Sequence, residues 1–425
     1  MPSFKTTRFD KTTLALATGL VAAIGMTSAQ AGEVEVLHWW TSGGEARAAN
    51  VLKELMEAEG HDWQDFAVAG GGGETAMTVL KSRAMSGNPP SAAQIKGPEI
   101  QEWGELGLLG DLDTVAEAED WNGLLPETVA EIMRHDGQYV AVPVNVHRVN
   151  WLWANPEVLD AAGVAMPTTL DELFEVAEAI REAGYVPLAH GGQAWQDATV
   201  FESVLLASGG SEFYRRALVD LDPEALGSPT MIEALTTFKR LRELMDDDMP
   251  GRDWNIATSM VIGGDAAMQL MGDWAKGEFT AAGLTAGEDY LCAAAPGTGD
   301  AFTFNIDSLA MFRVTEEAER EAQQALARLV LEPTFQEAFN LAKGSIPARP
   351  DLDMSDFDSC ARQSLADFQH TAEAGGLVPS MAHGMAVRAD VQGAIFDVVT
   401  NYFNSRDMAA EEAARRMVTA AQAAI

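Results

Sequence analysis

Short apolar runs alternate along the chain with stretches whose apolar positions recur every three or four residues, a pattern that predicts an α/β architecture. Val34–Trp39 reads as the first strand and Ala46–Ala58 as a helix, entered through the capping box Ser42-x-x-Glu45. The glycine run Gly70–Gly73 precedes a helical Val79–Met85. Ala92–Lys96 reads as a strand ending at Gly97, and Tyr139–Val142 as another, stopped by Pro143. The pattern restarts at Val149–Trp153. A second capping box, Thr169-x-x-Glu172, opens a helix whose Leu170, Leu173, Phe174, Ala177 and Ile180 form one apolar stripe before Gly184. The turn Pro296–Gly299 feeds a strand-like Phe302–Phe312, and helices over Glu316–Phe339 and from Val391 onward complete the pattern. No internal repeat or low-complexity linker interrupts it.

At 425 residues the chain exceeds one usual core, so two lobes are expected. Residues 1–31 have the form of an export signal. Lys5, Arg8 and Lys11 precede an apolar Thr13–Met26, and Ala29-Gln30-Ala31 supplies a small-x-small cleavage site. The apolar run is short for a bilayer span, and no cysteine follows the cleavage site, so neither membrane insertion nor a lipid anchor is expected. A net charge of −36, from 64 acidic against 28 basic residues, argues against nucleic acid as a partner, since phosphates would be repelled. The two cysteines, Cys292 and Cys360, are expected to bridge in an oxidising compartment, two buried thiols being the alternative. Two distant cysteines and seven scattered histidines offer no metal site, and no cofactor is expected.

The chemistry concentrates at a few places. Trp39 and Trp40 end the first strand, with Glu45 close behind. An indole stacks on the apolar face of a pyranose while a carboxylate hydrogen-bonds its hydroxyls. Asp307 interrupts an apolar strand, where a carboxylate costs several kcal/mol unless it is paired or faces a cavity. Lys96 stands at a strand end, where α/β sheets present ligand groups. His383, between Ala382 and Gly384, has room for a ligand, and its imidazole can both donate and accept. Trp195, in a glycine-rich stretch, is a weaker candidate. Gly70–Gly73 lacks the Lys-Ser/Thr of a phosphate loop, and Asp246–Asp248 reads as a solvated helix end.

The motifs H-W-W-T-S-G-G-E (38–45), Q-I-K-G (94–97), N-W-L-W-A-N-P (150–156), P-T-T-L-D-E (167–172), M-G-D-W (271–274), F-N-I-D-S (304–308), A-K-G-S-I-P-A-R (342–349) and M-A-H-G (381–384) run through nearly the whole chain in order. In this set the chain resembles the periplasmic solute-binding proteins of ABC sugar importers, and among them the glucose/mannose type. The resemblance implies the periplasmic-binding fold, two α/β lobes with interleaved connectivity and a ligand cleft between them. Lobe one would take 33–143 and 304–345, lobe two 144–303 and 346–425, with hinge crossings near Pro143, Phe304 and Ser345. It implies that Glu45, Lys96 and Lys343 contact sugar and that Trp274 closes on it from the second lobe, with Asp273 either joining it or capping the local turn. It implies further a monomer in the periplasm, a monosaccharide ligand, a membrane permease as partner and no catalysis. Trp153-Ala154 stands where the wider family commonly carries Tyr-Asn, so no tyrosine hydroxyl is expected there. Two alternatives remain open: a secreted glycoside hydrolase, and a binder of another polyol or an oligosaccharide.

Overall fold

The computed structural model describes residues 32–424; the expected export signal lies outside the described residues. Two sheets organise the chain. In the larger, Glu33–His38 runs parallel to both Asp62–Ala67 and Ala92–Gln94. Ala92–Gln94 then pairs antiparallel with the long Phe302–Met311, which pairs antiparallel with Ala141–Arg148. Ile346–Pro347 adds an edge, and Leu377–Pro379 pairs parallel with the start of Phe302–Met311. The smaller sheet orders Leu291–Ala294, Trp151–Ala154, Ala266–Leu270 and Val186–Leu188.

Each sheet carries its own apolar core. One gathers Val34 to Val146 with Phe302 to Ala348, plus Phe368 and Met385. The other gathers Val149 to Ala301 with Cys360 and a C-terminal set from Val378 to Ala421. The chain changes core between Val146 and Val149, and again between Ala301 and Phe302. These two crossings are tied side by side. Asn150 donates to Thr298 Oγ1 and to the Ala301 carbonyl while its Oδ1 accepts from Thr303 N. The Arg148 guanidinium, wholly buried, pairs with Asp367 and donates to the Ala301 carbonyl. A disulfide joins Cys292, in the smaller sheet, to Cys360, in the first turn of helix Ser359–Ala374.

Both capping boxes form, at Ser42/Glu45 and at Thr169/Glu172. Three expected elements differ. The strand expected to stop at Pro143 runs Ala141–Arg148, because Pro143 sits opposite a register shift between Asp307 and Ser308, where the missing N–H is tolerated. The expected helix Glu316–Phe339 is two helices, Glu317–Val330 and Pro333–Lys343, since Pro333 cannot continue the first but opens the second. The C-terminal run likewise divides into Ala389–Asn404 and Ala410–Ala424.

Candidate functional site

Trp39, Trp40, Glu45, Lys96, Trp274, Asp307, Lys343 and His383 line one small pocket, together with Gly71, His147, Trp254 and Asn305. They arrive there from strand ends, helix termini and one bulge. Trp39 and Trp40 follow the end of Glu33–His38, and Lys96 follows Ala92–Gln94. Lys343 is the last residue of its helix, which Gly344 terminates at φ 94°. Opposite Asp307 and Ser308 the strand Ala141–Arg148 carries an extra residue, Val144, and the bulge bends that strand beside the pocket, where it presents His147 to Asp307. The glycine run matters for close approach: a Cβ at Gly72 would stand 2.9 Å from Trp195, and one at Gly73 2.9 Å from Trp39. Only backbone fits against those indoles.

Ionised groups hold one another across the pocket. Glu45 divides its carboxylate: Oε2 accepts from the Thr41 and Ser42 amides as the helix cap, and Oε1 accepts from Lys343 Nζ at 2.7 Å. Trp40 Nε1 donates to Asp307 Oδ2 at 3.3 Å, and His147 Nε2 lies 3.2 Å from the same oxygen. Burial opposes ionisation of Asp307, but the His147 hydrogen bond and charge, with Lys343 and Lys96 behind it, hold its carboxyl far below the usual range. His147 Nδ1 pairs with Asp273, whose other oxygen accepts from Arg148 N at 2.9 Å. Burial disfavours the His147 imidazolium, yet the two aspartates outweigh it and raise its pKa.

Two groups keep donors or acceptors free. Lys96 is buried, its ammonium 5.1 Å from the centre of the Trp39 ring, and its Nζ has no acceptor among the described residues. Burial pushes its pKa down, with Asp307 and Glu99 pulling the other way. Thr199 Oγ1 gives its one proton to the Trp195 carbonyl at 2.8 Å, so it accepts from His383 Nε2 at 3.0 Å. That assignment leaves His383 Nδ1 as an acceptor. Burial, then the charges of Lys96 and His147, keep this imidazole neutral.

The two weaker candidates stand behind the pocket. Asp273 has both oxygens engaged by His147 and Arg148. Trp195 packs its ring against Trp274 and His383 and donates Nε1 to Gln193. Sequence reasoning missed His147, Asn305 and Trp254. A polar N-x-H pair in the apolar Ala141–Arg148 run and an Asn two residues before Asp307 were the available signals, because i and i+2 share a strand face. Asn305 Oδ1 is buried with no hydrogen-bond partner, as suits a group that meets ligand.

The profile of the bacterial extracellular solute-binding proteins matches residues 39–334. The chain belongs to that family. It is 50% identical to a probable sugar-binding periplasmic protein of Brucella melitensis, over 92% of each chain. It is 48% identical to a protein of the same description in Rhizobium meliloti, over 97% of this chain and 99% of the relative. A solved chitin oligosaccharide binding protein superposes with TM-score 0.77 at 16% identity, covering 93% of this chain and 99% of the other, a likeness of fold alone. The fold is thus the two-lobed periplasmic-binding architecture, with the family's relatives named as binding proteins rather than enzymes.

Proposed function

We propose that the protein captures a glucose-like hexose in the periplasm and presents the loaded, closed form to an ABC permease. The observation that carries this reading is the single pocket in which indoles, two lysines, a neutral imidazole and an ionised carboxylate meet. Trp39, Trp40 and Trp274 supply faces for a pyranose; Asp307, Glu45, Asn305 and His383 Nδ1 accept from hydroxyls; Lys96 donates to ring and hydroxyl oxygens. Two lobes, of 33–143 with 304–345 and of 144–303 with 346–425, are favoured by the two separate cores. The cores themselves change over a few residues away from those bounds, past Val146, before Phe302 and past Ala348, and draw Phe368 and Met385 into the first. A ligand bridging both lobes favours closure by its extra contacts in the closed form. The protein would act as an exported monomer.

Hydrolysis is disfavoured by the same electrostatics. A glycosidase needs one carboxyl group held protonated as an acid, whereas cations hold Asp307 ionised and Lys343 pairs Glu45. Thermal shift against glucose, galactose, mannose, xylose and polyols tests the reading, since binding raises stability with ligand concentration. A Tm rise with one or two hexoses and no release of nitrophenol from a nitrophenyl glycoside is expected. Turnover of the glycoside would overturn it.

A further inference from the structure

The strand Glu33–His38 ends just before the two indoles, so the amides of Trp39 and Trp40 fall outside the sheet's ladders. Two buried side chains take them instead. Gln94 Oε1 accepts from Trp39 N at 3.2 Å, and His38 Nδ1 accepts from Trp40 N at 3.2 Å.

His38 does more than accept. As residues i and i+2 it and Trp40 share a face, and their rings stack with centres 5.2 Å apart, while Phe339 meets the same indole edge-on at 5.4 Å. Because the Trp40 N–H occupies Nδ1, the imidazole proton sits on Nε2, which donates to Asp65 Oδ1 at 2.6 Å. That hydrogen bond is the foremost cause that holds the Asp65 carboxyl below its usual range, with the Lys53 charge adding to it. Asp65 itself stands on the edge strand Asp62–Ala67, its side chain about half exposed. A line of contacts therefore runs from the surface into the pocket: Asp65 to His38, His38 to Trp40, and Trp40 Nε1 to Asp307.

Trp40 borders not only the pocket but also a recess of about 300 Å3, lined further by His38, Lys53, Trp63 and Asp65. The recess leaves a displaced ring room to move into, and the acceptor at Nδ1 pins the backbone that carries it.

We propose that His38 is a positioning residue for sugar recognition: it does not line the pocket but sets the Trp40 indole against it, and Asp65 selects the tautomer that lets it do so. A proton on Nδ1 would turn one N–H onto another, and a buried N–H without an acceptor is costly enough to shift the segment. This inference rests on the hexose reading above and deepens it.

Calorimetric titration with glucose, galactose and mannose, together with near-ultraviolet circular dichroism of the indoles, tests it on wild type, His38→Asn, His38→Gln and Asp65→Ala. The asparagine amide oxygen falls where Nδ1 stands and still accepts from Trp40. The glutamine amide nitrogen falls where Nε2 stands, so it keeps Asp65 but abandons Trp40. His38→Asn should hold affinity within about threefold of wild type and keep the indole dichroism, whereas His38→Gln should lose about tenfold or more and change it. Asp65→Ala, on the surface and outside the pocket, should fold and lose affinity several-fold with the same change of dichroism. Equal affinity of His38→Gln and wild type, or equal losses in the asparagine and glutamine variants, would overturn the positioning role. So would an Asp65→Ala protein identical to wild type in affinity and dichroism, which decides the matter if His38→Gln does not fold. Wild type binding none of the three hexoses would overturn the hexose reading itself.

Discussion

Lys343 Nζ lies 2.7 Å from Glu45 Oε1, so the end of helix Pro333–Lys343 is tied to the start of helix Gly43–Ala58 by a buried ion pair. The pair presents one ammonium to the pocket already aligned by a helix cap. Removing one partner leaves the other charge buried and alone, which costs about 3–5 kcal/mol. Lys343→Met should therefore lower Tm sharply, while Lys343→Met with Glu45→Gln should recover most of the loss, because glutamine still completes the capping box. Denaturant melts of the two variants check this. Equal Tm values for single and double variants would remove the pair from the account.

His147 sits between Asp273 and Asp307 and links the larger sheet to the segment that carries Trp274. Its folded pKa is raised, so its share of stability is complete below the unfolded value near pH 6.5 and is lost as pH rises through the folded value. Asp307 is depressed, so its share is complete above the unfolded value near pH 4 and is lost as pH falls through the folded one. Both act fully between about pH 4 and 6.5. The Tm difference between wild type and His147→Gln should be widest in that window and narrow at higher pH. A difference that stays constant from acid to alkaline pH would contradict the charged array.

The segment bearing His383 is held from below by Glu202. Oε1 accepts from Ser380 Oγ at 2.6 Å, and Oε2 accepts from Ala382 N at 3.1 Å. Tyr214 OH contacts both Glu202 Oε2 and the Pro379 carbonyl, at 2.7 and 3.0 Å, and has one proton for the two. Burial pushes the Glu202 carboxyl up to about 7 from 4.5. A protonated Glu202 donates to the tyrosine, and the tyrosine is then free to donate to the carbonyl. With the folded pKa raised, this contribution is complete below pH 4.5 and fades as pH rises through 7. Glu202→Gln should flatten that part of the Tm–pH profile and weaken hexose binding several-fold by loosening His383. An unaltered profile together with unaltered affinity would show that Glu202 does not position the segment.

Cys292 and Cys360 close a loop of 68 residues. The chain-entropy account assigns such a closure about 4 kcal/mol. Dithiothreitol, or the Cys292→Ser/Cys360→Ser double variant, should lower Tm by several degrees while hexose binding persists at low temperature, because neither cysteine lines the pocket. No change in Tm would mean that the reduced chain is already constrained by packing.

Much of this architecture is written locally. Strand Glu33–His38 and the two capping boxes could be located because alternation and cap chemistry act over a few residues. The pocket residues were visible where polarity broke an apolar run, as at Asp307, or where motif order carried a resemblance, as at Lys96 and Lys343. His147 was hidden by the reading of Pro143 as a strand end. A proline is tolerated in that central strand only because the strand itself bulges there, Val144 being left unpaired between Pro143 and Asn145 opposite Ser308 and Asp307, which is a non-local fact. Asp273 shows the same limit. Its sequence context suits a turn cap or a ligand contact, and only tertiary pairing commits both its oxygens to His147 and Arg148.

The central claim is that Asp307 is an ionised acceptor for a sugar held between indoles, and calorimetry on wild type and Asp307→Asn tests it most directly. Asparagine keeps the size and one acceptor oxygen but removes the charge. Wild type should bind a hexose with saturable heat accompanied by a shift in tryptophan emission. Asp307→Asn should fold, retain a cooperative melting transition and lose about ten- to a hundredfold in affinity, as for a buried charge-assisted hydrogen bond worth about 1.5–3 kcal/mol. Hexose affinity unchanged in a folded Asp307→Asn would contradict the account.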